Sequence, residues 1–230
     1  GRLMGTVWNR VVATEGVAVV RSNSMRVDDV VSRLESGAPP SRLGLDPLDF
    51  VAALAHAGLG EASDGGPPLV QGVPTRPNLL PVLSEPALAE LFPGTDRPAR
   101  LALAAGLLQI HDFWDASHRA AQQADDLGES RVSAYWHGIG HRREPDAANA
   151  SYWFRRVGRH PAFSELSVAA RAALADAQAD PAIERTLLPR GSWDPFAFTA
   201  FCGRARGGTA SLARTLQRIE MIALLELSLP

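Results

Sequence analysis

Residues 101–117 read LALAAGLLQIHDFWDAS and residues 135–151 read YWHGIGHRREPDAANAS. Shifted by 34 positions, the first lies on the second: Gly106 falls on Gly140, Asp112 on Asp146, Asp115 on Asn149, Ala116 on Ala150 and Ser117 on Ser151. Two helix-turn-helix units at this period look like degenerate tetratricopeptide repeats, in which a small residue lets paired helices approach closely. The helices expected from the apolar spacing are Arg100 to Asp112, Trp114 to Asp126, Val132 to Arg143 and Asp146 to Val157. They are broken near Phe113, Gly128 and Pro145, and Gly158 follows the last. Two units are too few for a stable solenoid, so flanking helices must cover them: Pro86 to Leu91 before, and Ser164 to Ala177, Pro195 to Arg206 and Ser211 to Ser228 after.

The repeat also says which positions face inward. Leu103 and Leu107 of the first unit correspond to His137 and His141 of the second. Two imidazoles, i and i+4 on one helix face, thus stand where leucines pack, and a buried imidazole needs a partner. Five of the six histidines (His111, His118, His137, His141, His160), both tyrosines and three of the five tryptophans lie between positions 111 and 160. Asp115, His118, Arg119 and Gln122 share one helical face, as do Asp146, Asn149, Trp153 and Arg156. Antiparallel packing would bring both stripes toward His137 and His141.

The cluster admits three readings. In the first, the aromatics are core, and the histidines and arginines are satisfied by neighbouring acids such as Asp112, Glu144 and Asp146. In the second, Arg142, Arg143, Arg155 and Arg156, with Trp153, Tyr152, Glu144, Asp146, Asn149, His111 and His160, line a pocket for a small polar or anionic ligand or a protein segment. In the third, His137 and His141 act as general bases or bind a divalent metal, with Asp115, His118 or Glu144 assisting, in a hydrolase or lyase. The HExxH signature is absent because Gly138 follows His137.

The strings LAAGLLQIHDFWDASHRAAQQADD, SAYWHGIGHRREPDAANASYWFRRVGRHP and WDPFAFTAFC resemble an all-helical bacterial family with fungal relatives, over about residues 98–229. That family carries WHxIxHRRExDxxNxxYW and has no established activity. The resemblance therefore implies a helical fold and leaves chemistry to the residues. Glu220-Met221 departs from its more usual Glu-Trp.

Ahead of this region, residues 61–81 are rich in Gly and Pro without apolar period, and read as a linker or surface strap. Residues 1–60 predict a hairpin (Val7 to Val12, Val17 to Val20, turning at Thr14-Glu15-Gly16). Short helices are expected at Val27 to Leu34, Ser41 to Leu43 and Pro47 to Ala57, the last capped by Asp46 and stopped by Gly58. The run RSNSMRVDDVVSRLESGAPPSRLGLDPLDFVAALAHAGL resembles a small bacterial antitoxin-like domain family with a hairpin and helix-turn-helix; Ser22-Asn23-Ser24 replaces its GTR strand entry. Its third helix offers Asp46, Asp49 and His56 as polar groups and no arginine, so DNA is not an expected partner.

Composition removes further chemistries. All 23 basic residues counted as Lys+Arg are arginine, which excludes phosphate-loop and Schiff-base lysines. One cysteine, Cys202, excludes an internal disulfide and a thiol-pair zinc site, and in its apolar helix it reads as core. No nucleotide cofactor is expected, since glycine-rich phosphate motifs and a nucleotide-binding sheet are missing. The net charge of -2, no apolar run of membrane-span length and no signal-like start predict a soluble cytoplasmic protein without membrane partners. The apolar stripe Leu212, Leu216, Ile219, Ile222 and Leu225 suits a core or a homo-oligomer. The expected fold is mainly α: a helical-repeat bundle (82–230) behind a linker (61–81) and a helix-turn-helix-like unit (1–60) that begins with a short hairpin.

Overall fold

The computed structural model describes residues 10–14, 17–21, 24–60 and 65–229. The expected strand residues 7–9, the turn at Glu15-Gly16, Ser22-Asn23 and the head of the strap at 61–64 lie outside them. The protein is mainly helical. A small antiparallel sheet of β1 (Val11–Thr14), β2 (Val17–Val20) and β3 (Met25–Arg26) leads into α1 (Val27–Glu35), a 3-10 turn at Pro40–Leu43, and α2 (Pro47–Leu59). After the strap come α3 (Glu85–Leu91), α4 (Arg97–Ile110), α5 (Trp114–Asp126), α6 (Val132–Arg143) and α7 (Ala147–Val157). The chain closes with α8 (Ala162–Asp176), α9 (Pro181–Leu187), α10 (Pro195–Arg204) and α11 (Gly208–Ser228).

Local chemistry sets these boundaries. Asp46, Asp96, Asp180 and Asp194 each accept from backbone N–H groups at the start of a helix whose first turn carries a proline, so orphan donors are satisfied and the proline loses no bond. The same Asp-Pro signal marks α9, a helix that the apolar spacing alone does not predict. Among the described residues the first strand, expected over Val7 to Val12, runs from Val11 to Thr14, and β3 is an addition to the expected hairpin. Helix α2 runs past Gly58 to Leu59 and is capped by Gly60, whose φ of 67° suits glycine. Gly58 serves packing: a Cβ there would lie 2.9 Å from Ile110 Cγ1 and 3.0 Å from His111 Nε2.

Helix α4 is buried from Leu101 through Ile110 and is touched by α2, α3, α5, α6 and α11. Such all-round burial explains its near-continuous apolar sequence. The hairpins α4/α5 and α6/α7 lie side by side, with α4 against α6 and α5 against α6. Leu103 and Leu107 are buried, and so are their counterparts His137 and His141. Gly106 opens the space for α6, because a Cβ there would lie 2.6 Å from the Trp136 ring. The buried apolar residues from Val20 to Leu225 form one continuous core.

The strap is tied down rather than loose. Gln71 N–H donates to Arg143 O, Gln217 Nε2 donates to the Pro67 and Pro68 carbonyls, and Arg214 donates to Gly66 O. Arg143, fully buried, is the rivet: it donates to Pro68 O (3.1 Å), Gln109 O (2.9 Å) and Asp112 Oδ1 (2.6 Å), joining strap, α4 and α6. Asp112 holds a left-handed φ of 63° where α4 ends. Because only a guanidinium fork reaches all three acceptors, Arg143→Met is expected to cost about 3–5 kcal/mol and Arg143→Lys to recover only part of it, read from urea midpoints.

Two histidines belong to this frame. His111 Nε2 meets Leu54 O at 3.0 Å, pinning α2 to the end of α4, and His160 Nδ1 accepts from Ala162 N–H while packing on Tyr135. Burial above all, with Arg76 near His111 and Arg131 near His160, lowers both to about 4 from 6.5. The unfolded chain therefore binds more protons between those values, and stability falls as pH drops from 6.5 toward 4 and levels off below. His111 alone accounts for about 3 kcal/mol of that loss. Urea midpoints at pH 7.5 and 5.0 should differ less in His111→Gln than in the parent chain; an equal difference would remove His111 as a cause.

Candidate metal centre

His118 of α5 and His137 and His141 of α6 offer one ring nitrogen each, all within 4.8 Å of one another. Among the described residues, this is the one group of three His, Cys, Asp or Glu side chains with such spacing. The i, i+4 spacing stacks His137 over His141 with ring centroids 5.2 Å apart, and antiparallel α5 presents His118 edge-on to both, at 4.3 and 5.3 Å. Trp153 of α7 lies flat on His137, centroids 3.7 Å apart and planes 11° from parallel, so it holds that ring in place. Trp114 flanks His118 and His141.

The hydrogen bonding within the group is uneven. His141 Nδ1 meets Glu144 Oε2 at 2.9 Å, with the Asn149 amide beside it. An N–H at Nδ1 donating to the carboxylate leaves Nε2 as a lone-pair donor, the arrangement found behind metal-bound imidazoles. Both nitrogens of His137 are buried without a hydrogen-bond partner, and so are Gln109 Nε2 and Trp114 Nε1. Each such group costs about 1–3 kcal/mol if left unmade. A void of about 150 Å³ bounded by Gln109, Trp114, Ser117, His118, Trp136, His137 and Gly140 adjoins them and is too narrow for a water molecule. A metal ion, bonded to nitrogen at about 2.0–2.1 Å rather than at the roughly 2.9 Å of a hydrogen bond, is the smaller guest.

Electrostatics separate two chemistries. Burial, the His118 and His141 rings and Arg156 lower His137 to about 3, and burial with His141 lowers His118. A base with a pKa near 3 is poorly matched to proton abstraction at neutral pH, whereas a neutral imidazole with a free lone pair is a ready ligand.

The remaining expected site residues scatter. Asp115 and Arg119 are exposed on α5 beside His118, Tyr152 is exposed and packs its ring edge on Trp153, and Asp146 caps α7 through Asn149 N–H. The four arginines do not converge on the histidines. Arg142 and Arg143 are buried in other directions, Arg155 is exposed, and Arg156 pairs with Asp125 at 2.8 Å. His111 and His160 lie in the core contacts described above and not at the cluster. Spacing had no means to reveal Gln109 and Trp114 as unpartnered donors, since each matches an ordinary core position. Comparison with protein-family models, curated proteins and solved structures returns no match.

Glu144 orients His141 without entering the group of three. Glu144→Gln is expected to weaken metal affinity about 10–100-fold while leaving the urea midpoint nearly unchanged, and competition titration against a chromophoric chelator measures it.

Proposed function

We propose that His118, His137 and His141 bind one divalent transition metal, zinc by ligand type, as the centre of a hydrolase- or lyase-type enzyme acting on a polar substrate. The observation that carries the reading is the convergence of three imidazole nitrogens around His137, whose own two nitrogens have no partner. Three protein nitrogens leave a fourth position open, which is the pattern of catalytic rather than structural zinc sites. Since the void beside Trp136 admits no water, the ligand of that position would enter past half-buried His118. When bound, the metal supplies Lewis acidity and a nucleophilic water at neutral pH.

The chain's own groups have distinct parts in this. A tetrahedral ion holds its ligand nitrogens about 3.3 Å apart, so closing the group from 4.8 Å moves its widest pair by at most about 1.5 Å. His118, half-buried, has the freedom to make that move, whereas His137 is clamped by Trp153. Glu144 fixes the tautomer of His141. The Gln109 and Trp114 N–H groups are buried donors set beside His118 and His137, suited to stabilise negative charge developing near them. The paired α4/α5 and α6/α7 hairpins, with Gly106 matched by Gly140 and Asp112 by Asp146, support reading a degenerate tetratricopeptide-like repeat in which His137 and His141 stand for Leu103 and Leu107. No helix among the described residues is long and apolar enough to cross a membrane, and the free thiol of Cys202 suits a reducing cytoplasm.

Untagged protein, stripped of metal and titrated with zinc, is expected to bind one equivalent at sub-micromolar Kd. His137→Ala and His141→Ala should each weaken binding more than 100-fold with helicity retained. Zinc affinity unchanged in the double variant would refute the site.

A further inference from the structure

The void at the histidines is too small for a substrate, but a groove of about 470 Å³ opens beside it, between the strap and the first turns of α5. Trp114 belongs to both walls, and its ring centroid lies 5.1 Å from that of His118. The strap side is apolar and uncovered: Val73 is 84% exposed and Leu80 40%. That side is anchored at its root, where Gln71 N–H donates to Arg143 O.

The α5 side carries the charge. Asp115 and Arg119 line the groove, both are exposed, and neither forms an ion pair or hydrogen bond with another described residue. Asp112, the other acid at the wall, is spent on Arg143. Burial dominates the lowered basicity of His118, yet Asp115 and Arg119 act on that ring too, with opposite sign, so both charges stand near it. The two are one helical turn apart, about 6 Å along the axis. His118 lies on the turn between them, its ring against that of His137 on α6. Along α5 the groove therefore meets an anion, an imidazole of the metal centre and a cation in that order, opposite an apolar wall. Two residues of extended peptide span about 7 Å, so a dipeptide laid along α5 brings its ammonium to Asp115 and its carboxylate to Arg119, with the amide beside His118.

We infer that this groove binds unblocked dipeptides with apolar side chains, its ends read by Asp115 and Arg119 and its side chains packed on Val73, Leu80 and Trp114, and that the substrate of the metal centre is such a dipeptide. Binding depends on the groove alone, whereas cleavage rests on the metal reading proposed above. Hydrolysis joins the oxygen of water to the carbonyl carbon, breaks the C–N bond and leaves a proton on the departing amine, so water is the only co-reactant. Asp115 and Arg119 are specificity-determining residues in this scheme.

Calorimetric titration of the metal-free full chain with leucyl-leucine, N-acetyl-leucyl-leucine and leucyl-leucinamide tests the groove without the metal. Leucyl-leucine is expected to bind one to one at sub-millimolar Kd, at least tenfold more tightly than either blocked form. No binding of leucyl-leucine, or equal affinity for all three, would overturn the inference. Substitutions at the two exposed positions spare the fold and should act crosswise. Arg119→Gln should abolish the preference over leucyl-leucinamide and keep that over the acetylated form, and Asp115→Asn should do the reverse. Preferences unchanged in both variants would place the ligand elsewhere and overturn the assignment. The zinc-loaded chain should release leucine from leucyl-leucine at least tenfold faster than from the blocked forms; a loaded chain that binds leucyl-leucine and never cleaves it would overturn its role as substrate. Zinc binding at the histidines without dipeptide binding would fail the groove alone, whereas dipeptide binding without zinc binding would uphold the groove and fail the metal centre.

Discussion

Helix α6 is buried along nearly its whole length, from Ser133 to Arg143, although it carries two histidines and two arginines. That constraint organises the molecule. A polar side chain that cannot reach water must find its partner inside, and three of the four find a different one each. Arg143 turns to the end of α4 and the strap, Arg142 to Glu220 of α11, and His141 to Glu144 at its own C-terminus. His137 alone finds none. The two arginine partnerships come from elements far apart in sequence, so the burial of α6 is also what draws strap, α4 and α11 into a single core.

The magnitudes show why the unpaired ring matters most. A buried ion pair such as Arg142 with Glu220 contributes little net stability against an apolar replacement, yet losing one partner is costly. Those residues therefore fix geometry. His137 has no such return: its two buried nitrogens oppose folding by about 1–3 kcal/mol each unless something binds them. Stacking on Trp153, worth about 0.5–1.5 kcal/mol beyond area burial, does not close that gap. A bound cation would take up one of the two nitrogens and unite His118 and His141 with His137 in one act.

Much of this was legible in the sequence because it rests on short-range periodicity. The 34-residue offset placed His137 and His141 on inward positions, and helical spacing placed His118 and Trp153 on the faces turned toward them. The helices of the repeat follow from caps and apolar spacing to within a few residues. What could not be read depends on contacts without local signature. Arg142 with Glu220 and Arg143 with Pro68 are 78 and 75 residues apart, so four neighbouring arginines looked alike until packing sent them in different directions. His111 and His160 shared the cluster's stretch of sequence but not its place, since chain proximity over several turns does not fix direction. Gly58 resembled a helix stop because a glycine required by a neighbouring side chain and one required by φ are the same letter. The strap read as a linker because its ties are to backbone carbonyls, which composition does not display.

The central claim is that three imidazoles of two adjacent helices form one metal site with an open position. X-ray absorption at the zinc edge of stoichiometrically loaded, untagged protein tests it directly. Three nitrogen scatterers at about 2.0–2.1 Å with the outer-shell signature of imidazole, plus one light exchangeable ligand, are expected. A first shell with one imidazole or none, or a spectrum unchanged in His137→Ala, would contradict it.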